Sequence, residues 1–574
     1  MIYKALKLQF TNRLARIGLL LMVLMFITVN SFSQEIPYTE EVTIIAPYQP
    51  SVEDANKINI EPKFEDPNIQ PPEINYSINS FRIPTSYKPG SLKPASIVGE
   101  PISKLYRNYI KAGFGNYWTP YLELYAGSLR SKQSVFSVKF KHLSSNGSMK
   151  DTGPSQFSNN ELGLYGKKIY KKYVLNGYLK YNRDVVHYYG YNPDDYAVEF
   201  DKDSLKQRYQ ALSTGFMLQN SNSKRGNNSH YLGVNYTLWN SRFDATEHIV
   251  NLKTGLAQEF KAIKALDSQE VGLNIDATYY NERLSTIENL GIINAFPYVK
   301  ASLKEYSLRL GVGLHQVLSD DPVMYVSPLI DLSVTVIPDA MKIYVGVKGG
   351  VERHTLAGLT AINPFALPEN NPILSTTSYN AFGGVKGKIG SNMDLHISIE
   401  AAQVDNMPFF VNSALTTDGT SITNNGFSII TDDVSYYHLN TEFTYRFTET
   451  FLGRIYGDYY SYSLTSLSEP FHKPEIIVGS ELRYNFLDKI NLGADLFFGG
   501  KRYSAEWNPT TNLLSSAVYE INAYFDMSLH ANYRFSDSFS VFLNANNILN
   551  NHYDIWYGFP SQGINIIGGV NYAF

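Results

Sequence analysis

The side chains with most scope for chemistry gather in one stretch, HYYGYNPDDYAVEFDKD (His187–Asp203), where Asp194, Asp195, Glu199, Asp201 and Asp203 stand among tyrosines. Such an oxygen-rich loop suits Ca²⁺, which prefers about six to eight oxygen ligands. It lacks the EF-hand register, however, and a solvated surface loop is the stronger reading, so no metal is assigned. Aromatic runs at Phe409–Phe410 and Tyr553–Phe559 could stack on a sugar or peptide, although anchoring at a membrane interface explains them better. The 11 histidines are scattered without HExxH spacing. GxSxG, Walker and Rossmann signatures are absent from suitable contexts. With no cysteine, a thiol nucleophile, a Cys-ligated metal, a disulfide framework and a lipidated cysteine are all excluded. No catalytic constellation and no cofactor site emerge, and the chain does not read as an enzyme.

Composition points elsewhere. The 574 residues are 44% hydrophobic, 14% aromatic and only 18% charged, with 44 Tyr and 32 Phe. Tyrosine at this density suits a protein that needs amphipathic rings at a membrane–water boundary. The net charge of −4 lacks the basic excess of a nucleic-acid binder.

The chain opens with Lys4, Lys7, Arg13 and Arg16, then an apolar run from Ile17 to Val29 and small residues at Ser31 and Ser33. This is the pattern of a secretory signal, residues 1–33, too short for a membrane-spanning helix. Eleven of the 26 prolines fall in the 72 residues Glu35–Tyr106. Each proline removes a backbone donor and fixes φ, so residues 34–106 read as an extended periplasmic or luminal segment.

From Arg107 to Phe574 the hydrophobic period becomes two. Tyr519–Arg534 alternates for sixteen residues, and Phe136/Val138/Phe140, Leu232/Val234/Tyr236/Leu238 and Val478/Ser480/Leu482/Tyr484/Phe486 repeat the pattern. Strands this long exceed those of a soluble sandwich and predict an all-β transmembrane antiparallel barrel over residues 107–574, greasy outside and wet within. Lys139, Lys141, Glu481, Arg483, Asp526 and Arg534 then face the lumen, free to pair across strands. Short turns with flanking aromatics recur at Tyr445–Phe451, Tyr484–Ile490 and Tyr533–Phe539, with similar breaks near residues 266–268, 301–304, 337–340 and 389–392. Longer polar stretches, 357–377 and 406–432, suit extracellular loops. Counting strands between turns gives about 22, an even number that returns both ends of the barrel to the periplasm. The last strand, with Val570, Tyr572 and Phe574 in its outward register, suits capture by the outer-membrane assembly machinery.

The segment LNANNILNNHYDIWYGFPSQGINIIGGVNYAF (Leu543–Phe574) resembles the C-terminal end of TonB-dependent outer-membrane receptors. Asn547–Leu549, Tyr553 and the final aromatic Phe574 carry the resemblance, which implies a 22-stranded barrel in the outer membrane of a Gram-negative cell. Within Glu40–Ala46, the residues Glu41, Val42, Thr43, Ile44, Ile45 and Ala46 look like the short box such receptors offer to the periplasmic protein TonB by strand addition. The Pro-rich segment is too short for the globular plug these receptors carry. The expectation is therefore a receptor-like barrel without a full plug, serving as a subunit of an outer-membrane complex with a periplasmic or outer-membrane protein partner. The alternative is a TonB-dependent or porin-like transporter of a sizeable solute.

Overall fold

The computed structural model describes residues 106–574 apart from 130, 221–227, 284–288, 368–369, 418–419, 509–510 and 512. The chain divides into two units, Met1–Val98 and Gly99–Phe574, and the described residues belong to the second. The signal sequence, the Pro-rich segment and the stretch Glu41–Ala46 lie outside the described residues.

The wall starts with β1 (Asn108–Gly115), β2 (Thr119–Gly127), β3 (Ser134–Ser145), β4 (Phe157–Ile169), β5 (Tyr173–His187) and β6 (Lys206–Asn220). It runs on through β7 (Ser229–Ser241), β8 (Thr246–Phe260), β9 (Ser268–Arg283), β10 (Leu290–Leu303), β11 (Tyr306–Leu318) and β12 (Val323–Ile337). Then come β13 (Met341–His354), helix α1 (Leu356–Ile362), β14 (Ile373–Ile389), β15 (Met393–Thr417) and β16 (Thr420–Arg446). Next are β17 (Phe451–Leu464), β18 (Ile476–Phe486) and β19 (Ile490–Gly499). A hairpin of β20 (Arg502–Asn508) and β21 (Leu513–Ile521) leaves the wall, which resumes with β22 (Tyr524–Arg534) and β23 (Phe539–Asn546). A small ribbon, β24 (Asp554–Trp556) and β25 (Phe559–Pro560), precedes the last strand, β26 (Asn565–Ala573).

Twenty-two of these strands close one antiparallel ring. β19 pairs directly with β22, skipping the β20–β21 hairpin, and β26 pairs with both β23 and β1 to seal the seam. At the seam Ala112 faces Val570 and Ile110 faces Tyr572, and the amides of Arg107 and Asn108 donate to the Phe574 carbonyl. The wall strands from β4 to β14 are 13–17 residues long, more than the roughly 9–11 that cross a bilayer when tilted.

Alternation sorts the two faces. Leu232, Val234, Leu308, Leu310, Val312, Ile343 and Val345 are exposed on the outside. Large apolar side chains left uncovered in this number require a hydrocarbon environment. At the end that carries the barrel termini, rings within each turn and strand end touch and together form a girdle. Tyr445 and Phe447 are 4.9 Å apart, Phe447 and Phe451 4.7 Å, Tyr533 and Phe535 4.6 Å, and Tyr572 and Phe574 5.4 Å. In the tight three-residue connection from β18 to β19, Leu487 and Asp488 both adopt positive φ, at 51° and 55°, and the Lys489 amide donates back to the Phe486 carbonyl.

Two expectations are corrected. Tyr519–Arg534 is not one strand: β21 ends at Ile521 and β22 starts at Tyr524. The alternation passes through the break because Tyr519 and Ile521 pair with β20 above the wall, where Ile521 is buried against protein instead of lipid. Residues 406–432 are not a loop either. They are the upper halves of β15 and β16, paired from Met407–Asp432 up to Thr417–Thr420.

Candidate functional site

The opposite end of the barrel carries the long connections, and they fold over the mouth. The β15–β16 hairpin has apolar residues on both of its faces (Pro408, Phe409, Phe410 and Val411, then Phe427, Ile429 and Ile430), so it must be covered on both sides. Phe409, Val411, Ile422 and Phe427 have no solvent exposure. A register shift between Val404 and Met407 bends the hairpin away from the wall. At the bend Asn406 adopts φ 57°, which Asn tolerates, and is held by Asp433 Oδ1 accepting from its amide at 2.9 Å and by Ser375 Oγ donating to its carbonyl at 2.6 Å. Asp432 accepts from the amides of Thr465, Ser466 and Leu467, each at 3.0 Å, tying the hairpin to the β17–β18 connection.

The hairpin reaches the far side of the ring. Asn425 Nδ2 donates to the Tyr188 carbonyl, just past β5, at 3.1 Å, and the Thr423 amide donates to Tyr196 Oη at 3.2 Å. Phe427 packs within 5.4 Å of both Phe559 and Trp556 and 5.3 Å from His472. Phe365 stacks on Phe559 at 4.2 Å, while Tyr188 and Tyr189 donate to the carbonyls of Ala366 and Pro560, both at 3.0 Å. A Cβ on Gly426 would collide with Leu367, so glycine is required at that approach. Connections from both sides of the ring thus meet in one aromatic core with Tyr188, Leu359, Phe365, Phe427 and Phe559 at its centre.

Helix α1 docks beside this core. Thr355 caps it, accepting from the Gly358 amide at 3.1 Å, and buried Glu247 of β8 accepts from the first amides, Leu356 at 2.6 Å and Ala357 at 2.9 Å. Nearby, Arg353 of β13 and Glu282 of β9 make an ion pair at 2.7 Å, with side chains only 8% and 2% exposed.

A polar knot holds the third side. Asn412 Nδ2 donates to the carbonyls of Asn424 at 3.2 Å and Tyr557 at 3.1 Å, Ser504 Oγ donates to Asn412 Oδ1, and Ser413 Oγ donates to the Trp507 carbonyl at 3.3 Å. Arg502 donates to the carbonyls of Asp554 and Ile555. His472 Nε2 lies 3.1 Å from Ser504 Oγ, and burial, reinforced by the Arg502 guanidinium, pushes its pKa down to about 3. The folded lid keeps His472 neutral, whereas the opened lid lets it protonate near its ordinary value of about 6.5. Stability of the lid is therefore complete above that value and falls on acidification, by at most about 1.4 kcal/mol per pH unit. The protection factor of residues 407–415, their hydrogen-exchange rate taken relative to the intrinsic rate at each pH, is expected to fall from neutral pH to about pH 5. An H472Q variant is expected to flatten this profile, and a flat profile in the unmodified protein contradicts the assignment.

Below the lid, the luminal wall carries cross-strand ion pairs. Lys139 meets Glu161 at 3.3 Å, Arg454 bridges Glu442 and Glu481 at 3.0 Å each, and Arg483 and His530 share Asp495. Asp526 accepts from Tyr553 Oη at 2.6 Å. Lys141 and Arg534 make no ion pair among the described residues. These half-exposed pairs contribute at most about 1 kcal/mol each, so they set wall polarity more than stability.

The residues singled out in the sequence divide as follows. Asp194, Asp195, Glu199 and Asp201 are exposed on the β5–β6 connection, and among the described residues no three acidic or imidazole side chains converge to hold a metal. Tyr188, Tyr189 and Phe200 of that same stretch enter the lid core. Phe410, Trp556 and Phe559 are lid core too, because the hairpin and the β24–β25 ribbon pack on each other, and Phe409 is fully buried beside Lys473, so none of the four is an interfacial anchor. Val570, Tyr572 and Phe574 lie exposed on the outer face at the seam, 42%, 47% and 49% accessible. Sequence reasoning missed Asn412, His472, Arg502 and Ser504. The non-alternating apolar runs that flank Asn412 were the one local signal that this segment leaves the lipid-facing wall.

No family model matches the sequence, and no curated protein matches it at the sequence level. Solved structures do match the fold. The siderophore receptor PirA from Acinetobacter baumannii superimposes with TM-score 0.60 at 10% identity, over 83% of this chain and 81% of that one. The pyoverdine outer membrane receptor FpvA from Pseudomonas aeruginosa PAO1 gives 0.59 at 10% identity, over 82% and 79%. The ferric-catecholate import receptor Fiu from E. coli K12, in its closed form, gives 0.57 at 10% identity, over 82% of each chain. The matched share is about the length of residues 107–574, so the likeness is in the barrel. The chain therefore has the barrel fold of the TonB-dependent siderophore receptors, with its mouth roofed by its own connections.

Proposed function

We propose that this barrel sits in the outer membrane with its long-connection end toward the cell exterior. There it is closed by its own lid and works as a subunit of an outer-membrane complex instead of as an open pore. The observation that carries the reading is the β15–β16 hairpin, which crosses the mouth and bonds to the connection beyond β5. A diffusion channel has no use for a mouth closed by an aromatic core and a buried hydrogen-bond network, both of which must be broken before a solute can pass. Expected partners are the surrounding lipid, the assembly machinery that captures β26 through Val570, Tyr572 and Phe574, and a periplasmic or outer-membrane protein. TonB, engaged through Glu41–Ala46, is one partner of that class. The fold shared with siderophore receptors favours a second reading, in which a sizeable solute passes when the lid opens.

Two measurements separate these. In a planar bilayer the intact protein is expected to be electrically silent, and steady conductance contradicts the closed mouth. Extraction in mild detergent is expected to retain a stoichiometric protein partner. A barrel that purifies alone, from cells that lose growth on one solute when it is deleted, favours the transporter.

A further inference from the structure

On the outer wall, just above the apolar band, a cavity of about 830 Å³ opens between β1 and β6. Its lower side is aromatic. Phe114 and Trp118 are exposed and meet edge to face at 5.9 Å, with Pro120 and Phe157 beside them. Its upper side, under the overhanging β5–β6 connection, carries three cations, Arg183, Lys202 and Lys206, against two carboxylates, Asp201 and Asp203, and so keeps a net positive charge. Arg183 and Lys202 have no carboxylate partner among the described residues, and Lys206 has only Asp203 at 3.7 Å. Arg208, opposite Val185 on β6, keeps its Nε buried without a hydrogen-bond partner among the described residues. His187 lines the cavity while only 4% exposed. Its Nδ1 is 2.7 Å from the Gln156 carbonyl, and its Nε2 has no hydrogen-bond partner among the described residues. A buried imidazole nitrogen left open beside three cations is costly unless something polar meets it.

We propose that this niche holds the phosphorylated sugar headgroup of an outer-leaflet glycolipid. Arg183, Lys202 and Lys206 meet the phosphate, His187 Nε2 meets a sugar hydroxyl, and the acyl chains descend past Phe114 along the apolar wall. The graded lining selects this chemistry. A free phosphate would leave the aromatic floor uncovered, and an acyl chain alone would leave the cations and His187 unmatched. The volume suits a headgroup with sugar rings better than a single small anion. The proposal rests on the reading that the long-connection end faces outward.

The test uses the detergent-purified full chain with three probes: diphosphoryl lipid A, phosphatidylglycerol and inorganic phosphate, read by native mass spectrometry. Lipid A is expected to bind most tightly. The R183A/K206A pair is expected to weaken it about tenfold, and R183K/K206R to retain it, because the charge-assisted contacts survive. Equal binding of lipid A and phosphatidylglycerol, or no loss in R183A/K206A, overturns the site. Inorganic phosphate displacing lipid A at similar concentration overturns the lipid assignment. Orientation is read separately: the chain has no cysteine, so an A197C variant on intact cells should react with a membrane-impermeant maleimide. Absence of labelling refutes the outward placement while leaving the binding result to stand on its own.

Discussion

Replacing Phe427 with alanine is expected to open the lid while leaving the barrel wall intact. The side chain has no exposure and touches Phe559, Trp556 and His472, and its backbone exchanges bonds with Phe365 and Leu367 at 3.1 and 2.9 Å. Removing a fully buried phenylalanine costs about 3–5 kcal/mol, partly as lost transfer energy and partly as cavity. The wall does not share this loss, because its strands hold one another by ladder hydrogen bonds that do not involve Phe427. Trypsin gives a direct readout: Arg502 is 7% exposed and protected in the closed lid. Cleavage after Arg502 is expected to speed up by roughly a hundredfold or more, in line with a local opening energy reduced by that amount. Heat-modifiable gel mobility is expected to stay unchanged. Phe427→Leu, which keeps most of the volume, should lose much less. If F427A resists trypsin as well as the parent protein, the lid is not held by this core.

The second large effect is expected at the buried pair Arg353–Glu282. R353M leaves the Glu282 carboxylate 2% exposed without its partner and close to Glu247, whose own carboxylate holds the start of α1. Breaking one side of a buried ion pair costs about 3–5 kcal/mol, whereas replacing both sides with apolar groups of similar volume is often neutral. R353M is therefore expected to release α1, seen as faster hydrogen exchange at residues 356–362. R353M/E282L is expected to recover most of the protection. If the double variant is as labile as R353M, the pair acts through a specific contact and not through the desolvated charge.

Much of the wall was legible from sequence because its determinants are local. The two-residue period fixed which side chains face lipid, and the aromatic turns at Tyr445–Phe451, Tyr484–Ile490 and Tyr533–Phe539 fixed where strands reverse. Both signals repeat around a ring in which each strand needs only its neighbours. The lid was illegible for the opposite reason. Tyr188 and Asn425 are 237 residues apart, and nothing near either one specifies the other. The misread Tyr519–Arg534 stretch makes the same point, since alternation continues through Asn522 and Ala523 even though Ile521 faces protein and Phe525 faces lipid.

The amino-acid sequence alone thus determined that residues 107–574 form a closed antiparallel barrel of about 22 strands. A bilayer acts on each strand separately, and each strand must satisfy it with its own alternation. Only the tertiary structure decided that the mouth is roofed, that Phe410 and Phe559 form a core instead of a ligand shelf, and that cations gather above Phe114 on the outer wall. Those features depend on which connections meet across or along the ring, and ring closure, not local pattern, brings them together.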